Sequence, residues 1–298
     1  MSAAELRAKL SRDGWAVLPA GALPPQATIE PWAFVEALFG ERPDMVERQI
    51  IRAVPSGRSY ASSSWATPPH TDSQSHLGLP PTVQIMTCIR PAERGGESLL
   101  VDAWQLLDRI EAHDPELYRS LFTERRRMRF VFGDVEAPTV ALRGARLVVT
   151  HPPVPPCDDT GRRFAAWLER AAPREVRLAA GEVLVVDNER MLHGRRAFDD
   201  VRRELWRVLC WLPHPLSDGG AHAARALELA GSMPSSERMP RELRAVIEML
   251  TGTSPGKLAA REQVTEPTLY AWRNAALQAA AAALAGLATH DDDGTRPR

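Results

Sequence analysis

The stretch PPHTDSQSH places His70 and Asp72 two positions apart. On a strand, residues i and i+2 project from one face, so an imidazole and a carboxylate there are aimed at a common object. A shared cation is the reading that uses both. A two-donor arm needs a third donor, and His193 is the strongest candidate, in VVDNERMLHGRRAF directly after the apolar run EVLVV. Two imidazoles and one carboxylate on one face of an octahedral metal leave the remaining positions open. Each residue also has a plainer reading. His70 beside Pro68 and Pro69 is then a loop histidine, Asp72 a turn or cap residue, and His193 before Gly194 a strand-to-turn corner.

A second feature is independent of the first. Read as a strand, VRRELWRVLCWL puts Arg203, Leu205, Arg207, Leu209 and Trp211 on one face. Glu204, Trp206, Val208, Cys210 and Leu212 take the other. Both faces are largely apolar, so the strand is expected to be covered on both sides. Unpartnered buried guanidinium groups cost several kcal/mol each, so Arg203 and Arg207 call for anions. A dicarboxylate fits, because arginine's planar fork matches a carboxylate with two hydrogen bonds. Internal salt bridges to Glu97 or Asp102 are the alternative. With open metal positions nearby, the combination is that of a non-heme Fe(II) oxygenase.

The elements that must position these groups are short. GWAVLPA, RQIIRAV, TVQIMTCI, ESLLVDA, MRFVFGD, ARLVVTH, EVRLAAGEVLVVDN and ELWRVLCWLP read as strands punctuated by Gly and Pro, as in a sandwich, barrel or jelly roll. Helices are expected over about 3–12, in WAFVEALFG up to Gly40, over about 103–122 and over about 161–171. Strand signals stop after WLPHPLSDGG, and residues 221–290 read as helical, ahead of a polar THDDDGTRPR. The division is therefore expected at 218/219, with a β-rich body before it and a helical extension after it.

Bulk properties exclude several classes. The 298 residues are 44% hydrophobic and 25% charged with a net charge of −1, so no global positive field attracts nucleic acid or anionic membrane. Neither is expected as a partner. Cys88, Cys157 and Cys210 are far apart and form no Cys-x-x-Cys pair, which fits a reducing cytoplasm and neither a zinc ribbon nor a disulfide framework. The N-terminal segment lacks a signal peptide's basic start and apolar centre.

Four segments, in order, resemble the taurine dioxygenase and γ-butyrobetaine hydroxylase family of Fe(II)- and 2-oxoglutarate-dependent dioxygenases. They are PPHTDSQSH, ERGGESLLVDAWQLL, GEVLVVDNERMLHGRRAF and RRELWR, spanning roughly residues 55 to 212. The resemblance implies a double-stranded β-helix (jelly-roll) core with helical additions. It implies His70, Asp72 and His193 as iron ligands. It matches Arg203 to the arginine that pairs with the distal carboxylate of 2-oxoglutarate, with Arg202 the alternative if the register slips by one. Ser98 stands where the family often has a threonine that hydrogen-bonds the same carboxylate. Arg207 matches a second arginine near the chelating end of 2-oxoglutarate or an anionic substrate group. Asn188 and Arg195 are expected mainly to shape their turn. The implied chemistry uses O2 to decarboxylate 2-oxoglutarate to succinate and CO2 while a C–H bond of a small, amino-acid-like metabolite is oxidised. Asp72 argues against halogenation, since related halogenases carry a small residue there. Tyr60, Gln74 and His76 flank the metal arm and are candidates for substrate contact.

Two other readings stand beside this one. A cupin-type metal enzyme leaves the paired arginines and the Gly-Gly-x-Ser strand without a purpose. A β-barrel sensor with a DNA-binding tail rests on SPGKLAAREQVTEPTLYAWRNAAL (254–277), which is similar to a transposase-type helix-turn-helix. Against it, the last 45 residues hold few cations (Lys257, Arg261, Arg273, Arg296 and Arg298) and include Asp291, Asp292 and Asp293. The plainer expectation is a helical bundle that covers the body or mediates homo-oligomer contact.

Overall fold

Apolar runs bounded by turns do become strands in the computed structural model. It describes the chain except residues 23–29, 55, 56, 58, 73–79, 131, 132, 232–239 and 289–298. In order, the elements are α1 (Ala3–Asp13), β1 (Trp15–Leu18), α2 (Pro31–Phe39), β2 (Met45–Arg52), β3 (Thr67–His70), β4 (Val83–Arg90) and β5 (Ser98–Asp102). Then come α3 (Ala103–His113), α4 (Pro115–Thr123), β6 (Arg126–Phe130), β7 (Gly133–Ala137), β8 (Val140–Arg143), β9 (Arg146–Val149) and α5 (Asp159–Arg170). β10 (Arg174–Val176), β11 (Val183–Asp187), β12 (Met191–Arg195), β13 (Glu204–Trp211) and α6 (Gly220–Ala230) follow. The chain ends in α7 (Arg241–Leu250), α8 (Pro255–Glu262) and α9 (Glu266–Ala288).

Two antiparallel sheets carry the body, a five-stranded one in the order β1-β11-β4-β13-β2 and a four-stranded one in the order β10-β5-β12-β3. This is the expected jelly roll. Ile51, Cys88, Leu184 and Leu205 of the first sheet meet Leu100, Val176 and Met191 of the second in one buried cluster. Alternation along β12 splits its side chains between two environments. Leu192 turns outward to a helical layer with Leu106, Leu117, Phe122 and Phe164, while Met191 turns inward.

Three differences from the sequence expectation have local causes. The helix expected over 103–122 is two helices, because Pro115 disfavours helical backbone at the residue before it. Asp114 sits at φ −148°, ψ 65° and caps α4 by accepting the Leu117 N–H at 3.1 Å. The strands β3 and β12 carry too few apolar residues to stand out in the sequence, yet they hold the two histidines. The chain also divides later than 218/219, into units Met1–Glu237 and Arg238–Arg298. The cause is α6, whose Ala226 is buried in the helical layer of the first unit and whose His222 bonds Tyr118 Oη at 2.9 Å.

The second unit packs α7, α8 and α9 around Ala245, Leu258, Ala259 and Leu269. α8 and α9 are joined by the short turn expected of the tail, with Gln263 in the left-handed region at φ 54°. Arg241 pairs with Glu262, and Arg261 with Glu248. Among the described residues, no helix is long and apolar enough to cross a membrane.

Candidate active site

The two histidines meet because β12 and β3 are neighbours, with His193 directly opposite His70. Their ring centroids are 4.5 Å apart. This close approach requires Gly194, where an added Cβ would stand 2.5 Å from the Thr67 carbonyl oxygen of the facing strand. Asp72 lies two residues beyond the end of β3, so strand alternation alone does not aim it, contrary to the expectation for His-x-Asp. Its carboxylate nevertheless reaches His193, with Oδ2 at 3.5 Å from Nε2. One donor atom from each of His70, Asp72 and His193 lies within 4.8 Å of the others.

The donors are poised for a cation. His70 Nδ1 lies 2.9 Å from the Pro68 carbonyl oxygen, which can only accept a hydrogen bond. That contact puts the hydrogen on Nδ1 and leaves the Nε2 lone pair for a metal. Burial first, then the neighbouring His193, pushes the His70 pKa down to about 4, so the ring is neutral at physiological pH. Burial raises the Asp72 carboxyl, but Arg207 and the two histidines outweigh it and hold the group below the usual carboxylate range. Two imidazoles and a carboxylate suit iron(II).

A residue that the sequence reading passed over ties two of the donors together. Gln84 Nε2 donates to Asp72 Oδ2 at 2.7 Å and lies 2.9 Å from His193 Nε2. Gln84 is buried on β4, and its one signal in the sequence is a lone carboxamide inside the apolar run TVQIMTCI. Arg207 Nη1 lies 3.3 and 3.4 Å from the two Asp72 oxygens, and its Nη2 donates to Gln49 Oε1 at 2.5 Å.

A cavity of about 90 Å³ opens beside the triad, walled by Ile51, Met86, Leu100 and Leu184 from both sheets. Tyr60, Ser98, Arg195, Arg203 and Arg207 also line it. Arg203 is buried, donates from Nη2 to the Gly96 carbonyl at 3.1 Å, and keeps Nη1 without a protein partner. Gly96, at φ 78°, makes room for it, since a Cβ there would stand 2.9 Å from Arg203 Nε. Arg202 is exposed and paired with Asp200 and Glu93, so Arg203 is the arginine at the cavity. The internal salt bridges weighed for this strand go elsewhere, Glu97 to Arg177 and Asp102 to Arg190.

Arg195 departs from its expected role as a turn residue alone. It sits opposite Ser98 across the β12–β5 ladder and lines the cavity. Its Nη2 donates to the Ser63 and Trp65 carbonyls at 2.9 and 2.6 Å. Arg195 and Arg203 both lie over the Phe198 ring, at 4.8 and 5.0 Å from its centroid. Burial lowers both guanidinium pKa values to about 10. Tyr60 also donates its hydroxyl to the Pro153 carbonyl at 3.1 Å. Gln74 and His76 lie outside the described residues.

Sheet order, the three-donor cluster and the arginine-lined cavity define a jelly-roll, metal-dependent oxygenase. The chain belongs to the taurine catabolism dioxygenase TauD, TfdA family, whose model matches residues 4–167 and 162–209. It is accordingly an Fe(II)- and 2-oxoglutarate-dependent oxygenase. A comparison with curated proteins finds no match. Among solved structures it is similar to an asparagine oxygenase in complex with Fe(II), (2S,3S)-3-hydroxyasparagine and succinate. That match has 17% identity and a TM-score of 0.55 over 78% of this chain and 83% of that one. The PvcB protein from Pseudomonas aeruginosa is similar at 18% identity, over 71% and 80% of the two chains, with a TM-score of 0.53.

Proposed function

We propose that the enzyme hydroxylates a small amino-acid-like substrate bearing a carboxylate, with His70, Asp72 and His193 as the iron ligands. The observation that carries the substrate class is the charge of the cavity. Three guanidinium groups, Arg195, Arg203 and Arg207, line it, and of these Arg207 pairs with the Asp72 carboxylate. Iron(II), when bound, supplies the open positions at which 2-oxoglutarate and O2 react. Arg203 and Ser98 receive the distal carboxylate of 2-oxoglutarate, which satisfies the Nη1 donor that has no protein partner. Arg207, beside Asp72, and Arg195 remain for a carboxylate of the substrate. Met86, Leu100 and Leu184 exclude water from its carbon chain. The asparagine oxygenase similar to this chain holds a hydroxylated amino acid and succinate, which supports the same class here.

Tyr60 lines the same cavity and completes the proposed substrate wall. The far-apart free thiols fit a cytoplasmic enzyme. Exposed Leu277 and Leu284, seven residues apart on α9, suit self-association through that helix.

The experiment is a screen of free amino acids and related carboxylates for succinate release with Fe(II) and 2-oxoglutarate, followed by mass analysis. A substrate of this class raises succinate formation and gains one oxygen atom. Responses confined to amines without a carboxylate would reject the reading.

A further inference from the structure

Asp72 is the one proposed ligand outside a strand, so no ladder takes up its backbone N–H and C=O. Both go to a single side chain 116 residues away. Asn188 Oδ1 accepts the Asp72 N–H at 2.8 Å, and Asn188 Nδ2 donates to the Asp72 carbonyl at 2.8 Å. The second Nδ2 hydrogen goes to the Pro81 carbonyl, also at 2.8 Å, and the Asn188 N–H donates to the Thr82 carbonyl at 2.9 Å. Asn188 is 1% exposed. Its carboxamide thus behaves as a strand neighbour for one residue.

We propose that Asn188 is the positioning residue for the iron-binding carboxylate, an inference that rests on the assignment of Asp72 as a ligand. Gripping the N–H and the C=O of one residue fixes the peptide planes on both sides of its Cα. The direction of the Cα–Cβ bond, and so the reach of the carboxylate, follows from those planes. Asn188 has no contact with the carboxylate itself, which Gln84 and Arg207 hold. The clamp is built on the turn between β11 and β12, five residues before His193. One short segment therefore presents the second histidine and sets the carboxylate relative to it.

The turn is itself anchored on three sides. Glu189 pairs with buried Arg146 at 2.8 Å, Arg190 with Asp102 at 2.5 Å, and Asp187 accepts from Ser217 Oγ at 3.2 Å. A rigid base makes the carboxamide a fixed reference for the arm. The preceding residue is held separately: Thr71 N–H donates to the His151 carbonyl at 2.9 Å, and Thr71 Oγ1 accepts the His151 N–H at 3.0 Å. Loss of the Asn188 carboxamide therefore frees the Asp72 backbone, and the Pro81 carbonyl with it, while Thr71 stays held by His151.

The test is a Co(II) titration of the full-length protein and of Asn188→Asp, Asn188→Ser and Asp72→Ala. Circular dichroism, the 2-oxoglutarate KM at saturating Fe(II) and turnover against Fe(II) concentration are measured beside it. Asn188→Asp keeps the acceptor and loses both donors; Asn188→Ser loses the whole clamp. The expected result is a Co(II) Kd raised roughly 10- to 100-fold in the folded Asn188 variants. Turnover then recovers with excess Fe(II), and the 2-oxoglutarate KM stays within about threefold of the parent, since the hydrogen bonds of Asn188 go to Asp72, Pro81 and Thr82 and not to Arg203 or Ser98. A Kd within about threefold of the parent, with Asp72→Ala losing Co(II), overturns the positioning role. Loss of fold in both Asn188 variants also overturns it, by assigning the carboxamide to the scaffold. Unchanged Co(II) binding in Asp72→Ala rejects the ligand assignment itself, a separate failure that removes the basis of this inference.

Discussion

At the scale of residues, the site separates groups that hold metal from groups that hold anions. Replacing His70, Asp72 or His193 by Ala is expected to lower 2-oxoglutarate turnover by at least about a hundredfold. Thermal denaturation should show each variant still folded, because none of the three belongs to an apolar core cluster. Parent-like turnover in all three would displace the metal centre. Arg203→Gln separates the second function, because it removes the guanidinium that faces the cavity and leaves the triad in place. A hydrogen bond to a charged group contributes about 1.5–3 kcal/mol, so the 2-oxoglutarate KM should rise roughly 10- to 150-fold. Ser98→Ala, which removes a neutral donor, should raise it by roughly fivefold. Steady-state kinetics at saturating Fe(II) checks both. An Arg203→Gln KM equal to the parent's would place the distal carboxylate elsewhere.

At the scale of elements, the decisive contact is between β3 and β12. Four residues of β3 carry one side of it, and Gly194 allows the two backbones to approach. Gly194→Val pushes β3 away and so separates His70 from His193. Overpacking of this kind costs about 1–3 kcal/mol, and the Co(II) affinity should fall with it. Urea denaturation and metal titration read the two effects separately. A stable variant with parent affinity would show that β3 tolerates displacement and that the histidine spacing is set elsewhere. The same junction shows why part of the site was not legible beforehand. His193 was identifiable by its neighbours in LHGRRAF, but β12 itself was not, because MLHGR lacks a strand's apolar alternation.

At the scale of the molecule, charges buried behind the site link stability to pH. Burial, followed by the nearby Glu189 carboxyl, raises the Asp187 pKa from 3.8 to about 7. The folded protein then keeps a proton that the unfolded chain releases, so this group's contribution to stability falls as pH rises from about 4 through 7. Raising the carboxyl from 3.8 to about 7 corresponds to up to about 4 kcal/mol. Asp187→Asn should flatten the decline of Tm between pH 5 and 8 and raise Tm at the upper end. A variant with the parent's slope would move the linkage to another group. The second unit, α7 to α9, has its own apolar centre at Ala245, Leu258 and Leu269, as the composition change after residue 220 anticipates. α6 belongs instead to the first unit, a matter of which apolar face it meets and not of its helical pattern.

The sequence by itself determined the identities of the groups: two imidazoles, one carboxylate, two arginines four apart and a Gly-Gly turn before Ser98. It also determined a β-rich body followed by helices, since apolar period and turn residues are local properties of the chain. Only the tertiary structure decided which arginine faces the cavity, that Gln84 bridges two donors, that Arg195 joins the anion-binding wall, and that Asn188 grips Asp72. Those contacts depend on sheet register and on residues as far as 116 positions apart, and no spacing along a chain encodes a distance across it.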